Sequence, residues 1–322
     1  MNVLVIGGSY FVGRAIVRGF LADHHNVTVL NRGTRRVEGT EQLVADRGVS
    51  EQMMMALAGH SFDLVVDTSC YTVEQCQIVW SALNGRFDHW MHLSTAAVYV
   101  EDGSVPLSES RPTGRSRLWG DYGFCKAQAD DFLLGQAREY GLAVTIIRPP
   151  YIYGPGNAHE RERFFWSRLL RGRPVLVPDG QSVVQFIHVE DLYGFIRLAS
   201  SQRDKCSGQV FNVGNPTAMT FKSLVELLAT LAGTEANIVP VPYRFIGAKV
   251  RDFFPFRDCD CVLDVGKAIH ELSWVPKYEY QTGYTDAFSS YDPSWLASRP
   301  IETAAEDSIL MELKKSCGST WS

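Results

Sequence analysis

A phenol and an ammonium stand four residues apart in Tyr122-Gly123-Phe124-Cys125-Lys126. On an α-helix that spacing puts both groups on one face. The Lys126 charge favours the phenolate, so Tyr122 can exchange a proton at a carbonyl or carbinol oxygen while hydride moves at the carbon. Upstream, His92-Leu93-Ser94-Thr95 brings hydroxyls to the end of an apolar run. Thr95 can bond the same oxygen and help to polarise it, with Ser94 as the neighbouring candidate. Thr95, Tyr122 and Lys126 form the candidate catalytic set, and Lys126 also suits a cofactor ribose. Tyr-x-x-x-Lys is common on plain surface helices, so its meaning depends on the elements that position it.

Those elements begin at the N-terminus. Val3–Ile6 is an apolar run that reads as a buried parallel strand. Gly7-Gly8-Ser9-Tyr10-Phe11-Val12-Gly13 follows, opening an amphipathic stretch with Val12, Ile16 and Phe20 on one face. Strand, glycine turn and helix present N–H groups to a pyrophosphate. All seven residues from Gly7 to Gly13 are therefore candidate dinucleotide contacts. Gly7 permits the tight turn and Gly13 lets helix and strand pack closely. Tyr10 replaces the usual middle glycine, so its side chain must point away from the pyrophosphate.

The second strand ends in Asn31-Arg32-Gly33-Thr34-Arg35-Arg36. An acid at that edge would bond ribose hydroxyls and repel a 2′-phosphate, whereas guanidinium groups would pair with one. Asn31 and Arg32 thus favour NADP over NAD. Asp46, after the third strand, is placed to accept a bond from the adenine amino group.

Further strands are predicted at Val27–Leu30, Gln42–Ala45, Leu64–Asp67, Trp90–Leu93, Ala143–Ile147 and Val210–Val213. Helices are predicted at Phe11–Ala22, Glu51–Leu57, Val73–Leu83, Tyr122–Tyr140 and Val189–Ala199. This alternation specifies an α/β fold, a Rossmann-type doubly wound parallel sheet with a smaller C-terminal substrate lobe. Residues 1–155 and 184–215 are expected to form the dinucleotide-binding domain, and 156–183 with 216–292 the lobe. Residues 293–322 are expected to be a tail in which Ala304–Lys315 can form a helix.

The chain has 322 residues, 45% hydrophobic and 21% charged, the composition of an ordinary globular protein. A net charge of −5 argues against general affinity for nucleic acid. The seven cysteines lack zinc-ligand spacing and read as reduced thiols, with no metal expected. A strand starting at residue 2 and the absence of a long apolar run lead to the expectation of a soluble, cytoplasmic protein. Met53-Met54-Met55 reads as a core helix face, and Trp80, Trp90, Trp119, Trp166 and Trp274 as packing, Trp119 lying next to the site.

In order along the chain, these motifs resemble the extended and atypical short-chain dehydrogenase/reductase superfamily, NAD-dependent epimerase/dehydratase type, over residues 1–292. Arg148-Pro149-Pro150-Tyr151-Ile152-Tyr153-Gly154-Pro155 is similar to the family's link into the substrate lobe, and Gln185–Leu192 to the return to the sheet. Phe211-Asn212-Val213-Gly214 and Leu272-Ser273-Trp274-Val275-Pro276 resemble later signatures. The resemblance implies a Ser/Thr–Tyr–Lys set, carried onto Thr95, Tyr122 and Lys126, and cofactor contacts at Gly7, Gly8, Gly13 and Asp46, with Arg32 near the adenosine phosphate; Pro149 is a further candidate cofactor contact. It also implies sugar-like, often nucleotide-sugar substrates, and a homodimer built on Val73–Leu83 and Tyr122–Tyr140. His188 and Asp191 belong to a signature of structural character.

Three positions depart from the pattern. Related dehydratases carry an Asp-Glu pair where this chain has Ala96 and Ala97, so water elimination lacks its usual acid and base. Val184 stands where many epimerases place a diphosphate-binding arginine, although Arg257 could still reach one phosphate. Tyr10, with the Asn-Arg-Gly run, resembles an atypical branch that includes chloroplast stem-loop-binding proteins. The expected activity is therefore hydride transfer on a sugar-like substrate, with an NADPH-dependent carbonyl reductase or a non-catalytic dinucleotide- or RNA-associated protein as alternatives.

Overall fold

The computed structural model describes residues 1–157, 159–179, 181–243 and 249–316. Its chain divides into two compact units. The first comprises Met1–Ile152, Gln185–Pro216 and Val262–Tyr278, and the second Tyr153–Val184, Thr217–Cys261 and Glu279–Ser322. The sequence alone assigns Val262–Tyr278 to the lobe. By contact it joins the first unit, where Leu263 donates its N–H to Gln185 Oε1 at 3.0 Å.

In the first unit the elements run β1 (Asn2–Ile6), α1 (Phe11–Ala22), β2 (Asn26–Asn31), β3 (Glu41–Val44), α2 (Ser50–Leu57), β4 (Phe62–Asp67), α3 (Val73–Leu83), β5 (Phe87–Leu93), α4 (Gly120–Tyr140) and β6 (Ala143–Arg148). The strand Gln209–Asn212 completes a seven-stranded parallel sheet in the order Gln209–Asn212, β6, β5, β4, β1, β2, β3. Chain order reverses between β1 and β4, which is where such sheets hold their ligands, beyond the strands' carboxyl ends.

Strand alternation builds two apolar layers. Val3 and Val5 point to one face, with Ile16 and Phe20 of α1 and Phe195 of the helix Val189–Ser201. Leu4 and Ile6 point to the other, with Met53, Val79, Trp80 and Leu133 of α2, α3 and α4. Of the three consecutive methionines only Met53 is core. Met54 and Met55 are exposed, because successive residues on a helix turn by about 100° and cannot share one face.

The second unit holds the helices Arg161–Leu169, Phe221–Leu231, Tyr280–Ser289 and Ala304–Ser316. The strands Val175–Pro178 and Ile238–Val241 pair in parallel. Its core is aromatic: Phe254 meets Phe165 and Phe221 edge-on, and Tyr153 stacks on Tyr284 at 4.1 Å. The helix Ala304–Ser316, in the expected tail, is tied in by a buried Arg168–Glu306 ion pair at 2.6 Å. Among the described residues no helix is long and apolar enough to cross a membrane.

Candidate active site

The glycine turn after β1 is built backbone against backbone. Gly7 adopts φ +90°, a conformation that favours glycine, and donates its N–H to the Leu30 carbonyl at 3.0 Å. A Cβ on Gly13 would stand 2.2 Å from the Gly7 oxygen, and one on Gly8 2.8 Å from Val17. Tyr10 is the N-cap of α1; its ring is half-exposed beneath the Arg35 guanidinium, 4.7 Å from the centroid.

A cavity of about 320 Å³ opens at the carboxyl ends of β1 and β2. Five expected residues line it: Gly7, Ser9, Asn31, Arg32 and Asp46. Gly8, Tyr10, Phe11, Val12, Gly13, Lys126 and Pro149 are not on its wall. The structure gives several of them scaffold contacts, Gly13 against Gly7 and the Pro149 carbonyl accepting the Ala96 N–H at 2.9 Å. Arg47, Ser69, Tyr71 and Gln75 also line the cavity and were not anticipated. With a glycine turn no side chain could fill and a basic residue at its rim, the cavity fits the adenosine end of a dinucleotide.

Both polar atoms of the Asn31 side chain take part in folding its own loop. Its Oδ1 accepts from Gly33 N at 2.7 Å and Gln42 Nε2 at 3.0 Å, and its Nδ2 donates to the Arg35 carbonyl at 3.2 Å. Arg47 holds both oxygens of buried Asp67, at 2.7 and 2.9 Å, and reaches Ser69 Oγ at 3.1 Å. Burial alone would raise the Asp67 carboxyl, but the Arg47 charge and hydrogen bonds overcome it, with help from the Lys126 charge, and bring it down to about 2.

The candidate catalytic groups lie just after β5 and on α4. Lys126 is buried, and its Nζ donates to Leu93 O at 2.6 Å, Cys70 O at 2.9 Å and His92 Nε2 at 3.3 Å. Three acceptors take the three ammonium protons. Burial first, and then the Lys126 charge, hold the His92 imidazolium well below its ordinary range, so the ring is neutral and accepts.

Thr95 caps the short 3-10 turn Ala96–Val98, its Oγ1 accepting from Ala97 N at 3.2 Å, which leaves its own hydroxyl proton to donate. Ser94 is committed elsewhere: its Oγ donates to buried Asp130 at 2.9 Å. Asp130 also accepts from Arg148 Nε at 3.0 Å, and burial raises its carboxyl despite Arg148 and Lys126. Thr95 is therefore the hydroxyl available to a substrate.

Tyr122 lies in the first turn of α4 and is 45% exposed. The next residue, Gly123, faces the Ala97 carbonyl so closely that a Cβ would stand 2.1 Å from it. This contact sets the start of α4 against the turn that Thr95 caps. The Tyr122 ring lies 6.4 Å from that of Tyr71, itself a cavity-lining residue. Ala96 and Ala97 are buried and bring no carboxylate. Asp191 accepts from the Lys277 and Tyr278 N–H groups at 2.6 and 3.1 Å, the structural role its signature suggested.

A parallel Rossmann-type sheet with a glycine turn and a Tyr-x-x-x-Lys helix at its carboxyl edge defines an extended short-chain dehydrogenase/reductase fold. A model of the NAD dependent epimerase/dehydratase family matches residues 3–214, and the chain belongs to that family. It is 29% identical over 308 residues to the chloroplast stem-loop binding protein of 41 kDa b of Arabidopsis thaliana, covering 89% of this chain and 78% of that protein. To the UDP-glucose 4-epimerase of Corynebacterium glutamicum it is 24% identical over 331 residues, covering 92% and 95%. The UDP-glucose 4-epimerase of Thermus thermophilus, solved in complex with NAD, superposes with a TM-score of 0.73 at 22% identity, over 90% of this chain and 98% of that one.

Proposed function

We propose that this protein is an NAD(P)-dependent epimerase or oxidoreductase that moves hydride at a carbinol carbon of a sugar-like substrate, a nucleotide sugar being the favoured class. One observation carries the reading: Tyr122 stands one helical turn before Lys126, on a helix seated through Gly123 against the turn that Thr95 caps.

When bound, a nicotinamide supplies a hydride acceptor and donor. The Gly7–Gly13 turn would hold its pyrophosphate, Asp46 its adenine, Arg32 an adenosine 2′-phosphate, and Lys126 with Pro149 the nicotinamide end. Arg32 at the cavity rim supports a lean to NADP.

Tyr122 takes the carbinol proton as hydride leaves and returns it when hydride comes back. Thr95 donates its free hydroxyl proton to the same oxygen. Lys126 keeps the phenolate favourable by its charge. To bond a ribose hydroxyl it must release one acceptor, and His92, at 3.3 Å the longest of the three, is the one to yield.

With alanines at 96 and 97 the site has no acid–base pair for water elimination, which favours epimerisation or reduction. In the second unit, Val184 is buried, leaving that position without a phosphate clamp. The same unit has a cavity of about 410 Å³ lined by five arginines (161, 163, 168, 251 and 299) and by Glu160, Asp252 and Glu302.

Likeness to a stem-loop binding protein supports a second reading, dinucleotide or RNA binding without turnover. The net charge of −5 and the retained Tyr122 and Lys126 weigh against it. The test is nicotinamide absorbance on adding nucleotide sugars or simple carbonyl compounds, with Tyr122→Phe as control, and identification of any copurifying dinucleotide. A tightly held oxidised cofactor favours epimerisation and reversible NADPH binding favours reduction. Bound dinucleotide with no turnover on any such compound would sink the enzymatic reading.

A further inference from the structure

Behind the cavity wall two sulfur atoms face each other. Cys70 follows β4 and Cys76 lies in the first turn of α3; both are buried, with Sγ···Sγ at 3.0 Å. With Asp67 and His92 they form a knot of four groups whose ligating atoms lie within 4.8 Å of one another. Such a set suggests a divalent metal, but two protein cations already occupy it. Arg47 takes both Asp67 oxygens, and Lys126 takes His92 Nε2. A dication would meet a guanidinium and an ammonium in one buried volume. Two thiolates on tetrahedral zinc, each about 2.3 Å from the ion, would also stand about 3.8 Å apart. The sulfurs are closer than that.

We propose that Cys70 and Cys76 are an oxidisable dithiol, a modification site that a small peroxide closes to a disulfide and that thereby alters the cofactor cavity. The coupling to the cavity rests on the cofactor reading above; the thiol chemistry does not. Cys70 sits between Ser69 and Tyr71 and Cys76 beside Gln75, all three on the cavity wall, so both sulfurs lie directly behind it. The Cys70 hydrogen bond and burial hold the Cys76 thiol well above its usual range, which suits it to the second step.

In the first step the Cys70 thiolate attacks one peroxide oxygen; the O–O bond breaks, hydroxide leaves, and Cys70 becomes a sulfenic acid. Next the Cys76 sulfur attacks the Cys70 sulfur, the S–O bond breaks, and the departing oxygen leaves as water with the Cys76 proton. Two thiols lose two electrons and two protons, and one peroxide becomes two waters. Closure to a bond of about 2.05 Å requires the sulfurs to approach by roughly 1 Å. That movement draws on the segment carrying the Cys70 carbonyl, which holds Lys126, and the Ser69 hydroxyl, which Arg47 reaches.

The experiment treats the full-length protein with hydrogen peroxide, maps cysteine linkage by mass spectrometry, and measures NAD and NADP affinity before and after. The expected result is one Cys70–Cys76 crosslink with a loss of two mass units. Affinity should fall at least threefold and recover on dithiothreitol, while Cys76→Ser shows neither change. Oxidation of the half-buried Cys125 and Cys259 with Cys70 and Cys76 left reduced would overturn the proposal. So would one equivalent of zinc bound and lost in Cys76→Ser, or a crosslink that leaves affinity unchanged. Should the reduced protein bind no dinucleotide, the cofactor reading falls with its coupling, and the crosslink map alone decides the dithiol.

Discussion

The carbonyl oxygen of Gly7 lies 2.2 Å from the point where a Cβ on residue 13 would stand. Turn and helix therefore meet without a side chain between them. Gly13→Ala must push that carbonyl aside, and we expect it to abolish dinucleotide binding and to destabilise the fold by about 1–3 kcal/mol. Gly135→Ala, inside α4 with open space around it, should be neutral or stabilise by up to about 1 kcal/mol. Calorimetric titration and urea unfolding of both variants test this.

Tyr122→Phe removes only the phenolic oxygen from a half-exposed ring. Turnover should fall by about 10²–10⁴-fold, the contribution typical of general acid–base groups, with dinucleotide affinity unchanged. A variant that keeps full turnover would place the proton transfer elsewhere.

For Lys126 the expected cost is structural as well as chemical. Lys126→Met strips the Leu93 and Cys70 carbonyls of a buried donor, at about 1–3 kcal/mol. Lys126→Arg should not restore activity, because a planar guanidinium cannot meet three acceptors arranged around one nitrogen. Unfolding midpoints and turnover, read together, separate the two effects.

The sheet was legible in the sequence because each inner strand of a parallel sheet is buried on both faces. Val3–Ile6 and Leu64–Val66 read as plain apolar runs for that reason. Thr95, Tyr122 and Lys126 stood out as candidates because a motif and a strand end are local patterns. Arg47 with Asp67, and His92 with Lys126, are joined across 20 and 34 residues of chain and leave no periodic signal. The Asp67 position at a strand's carboxyl end was the one hint available. Adjacency without register also explains the methionine run, where only Met53 turns inward.

The Arg47–Asp67 pair makes a pH prediction. The folded Asp67 carboxyl is depressed from 3.8 to about 2, so its contribution is fully present above pH 4 and is lost as pH falls towards 2. The shift corresponds to about 2 kcal/mol. Without Arg47, burial raises the Asp67 carboxyl, so the stability gap between the native protein and Arg47→Met should begin to narrow above pH 4 and go on narrowing as pH falls towards 2. Urea midpoints measured at several pH values check it; a gap that stays constant would assign the stabilisation to packing.

Arg32 lines the cavity, and its charge bears on dinucleotide choice. Arg32→Glu should weaken NADPH binding by about tenfold or more, through loss of a charge-assisted bond and gain of a repulsive one, while NADH binding is spared. Equal losses for both would mean the arginine does not read the 2′-phosphate.

Asn31 carries a consequence for anyone hoping to retune this protein. Its amide stitches together Gly33, Arg35 and Gln42, so the cavity edge and the shape of the loop share one side chain. Installing a carboxylate there keeps the two acceptor contacts but sets an anion against the Arg35 carbonyl. Switching coenzyme by that route would require transplanting the whole segment from 31 to 42.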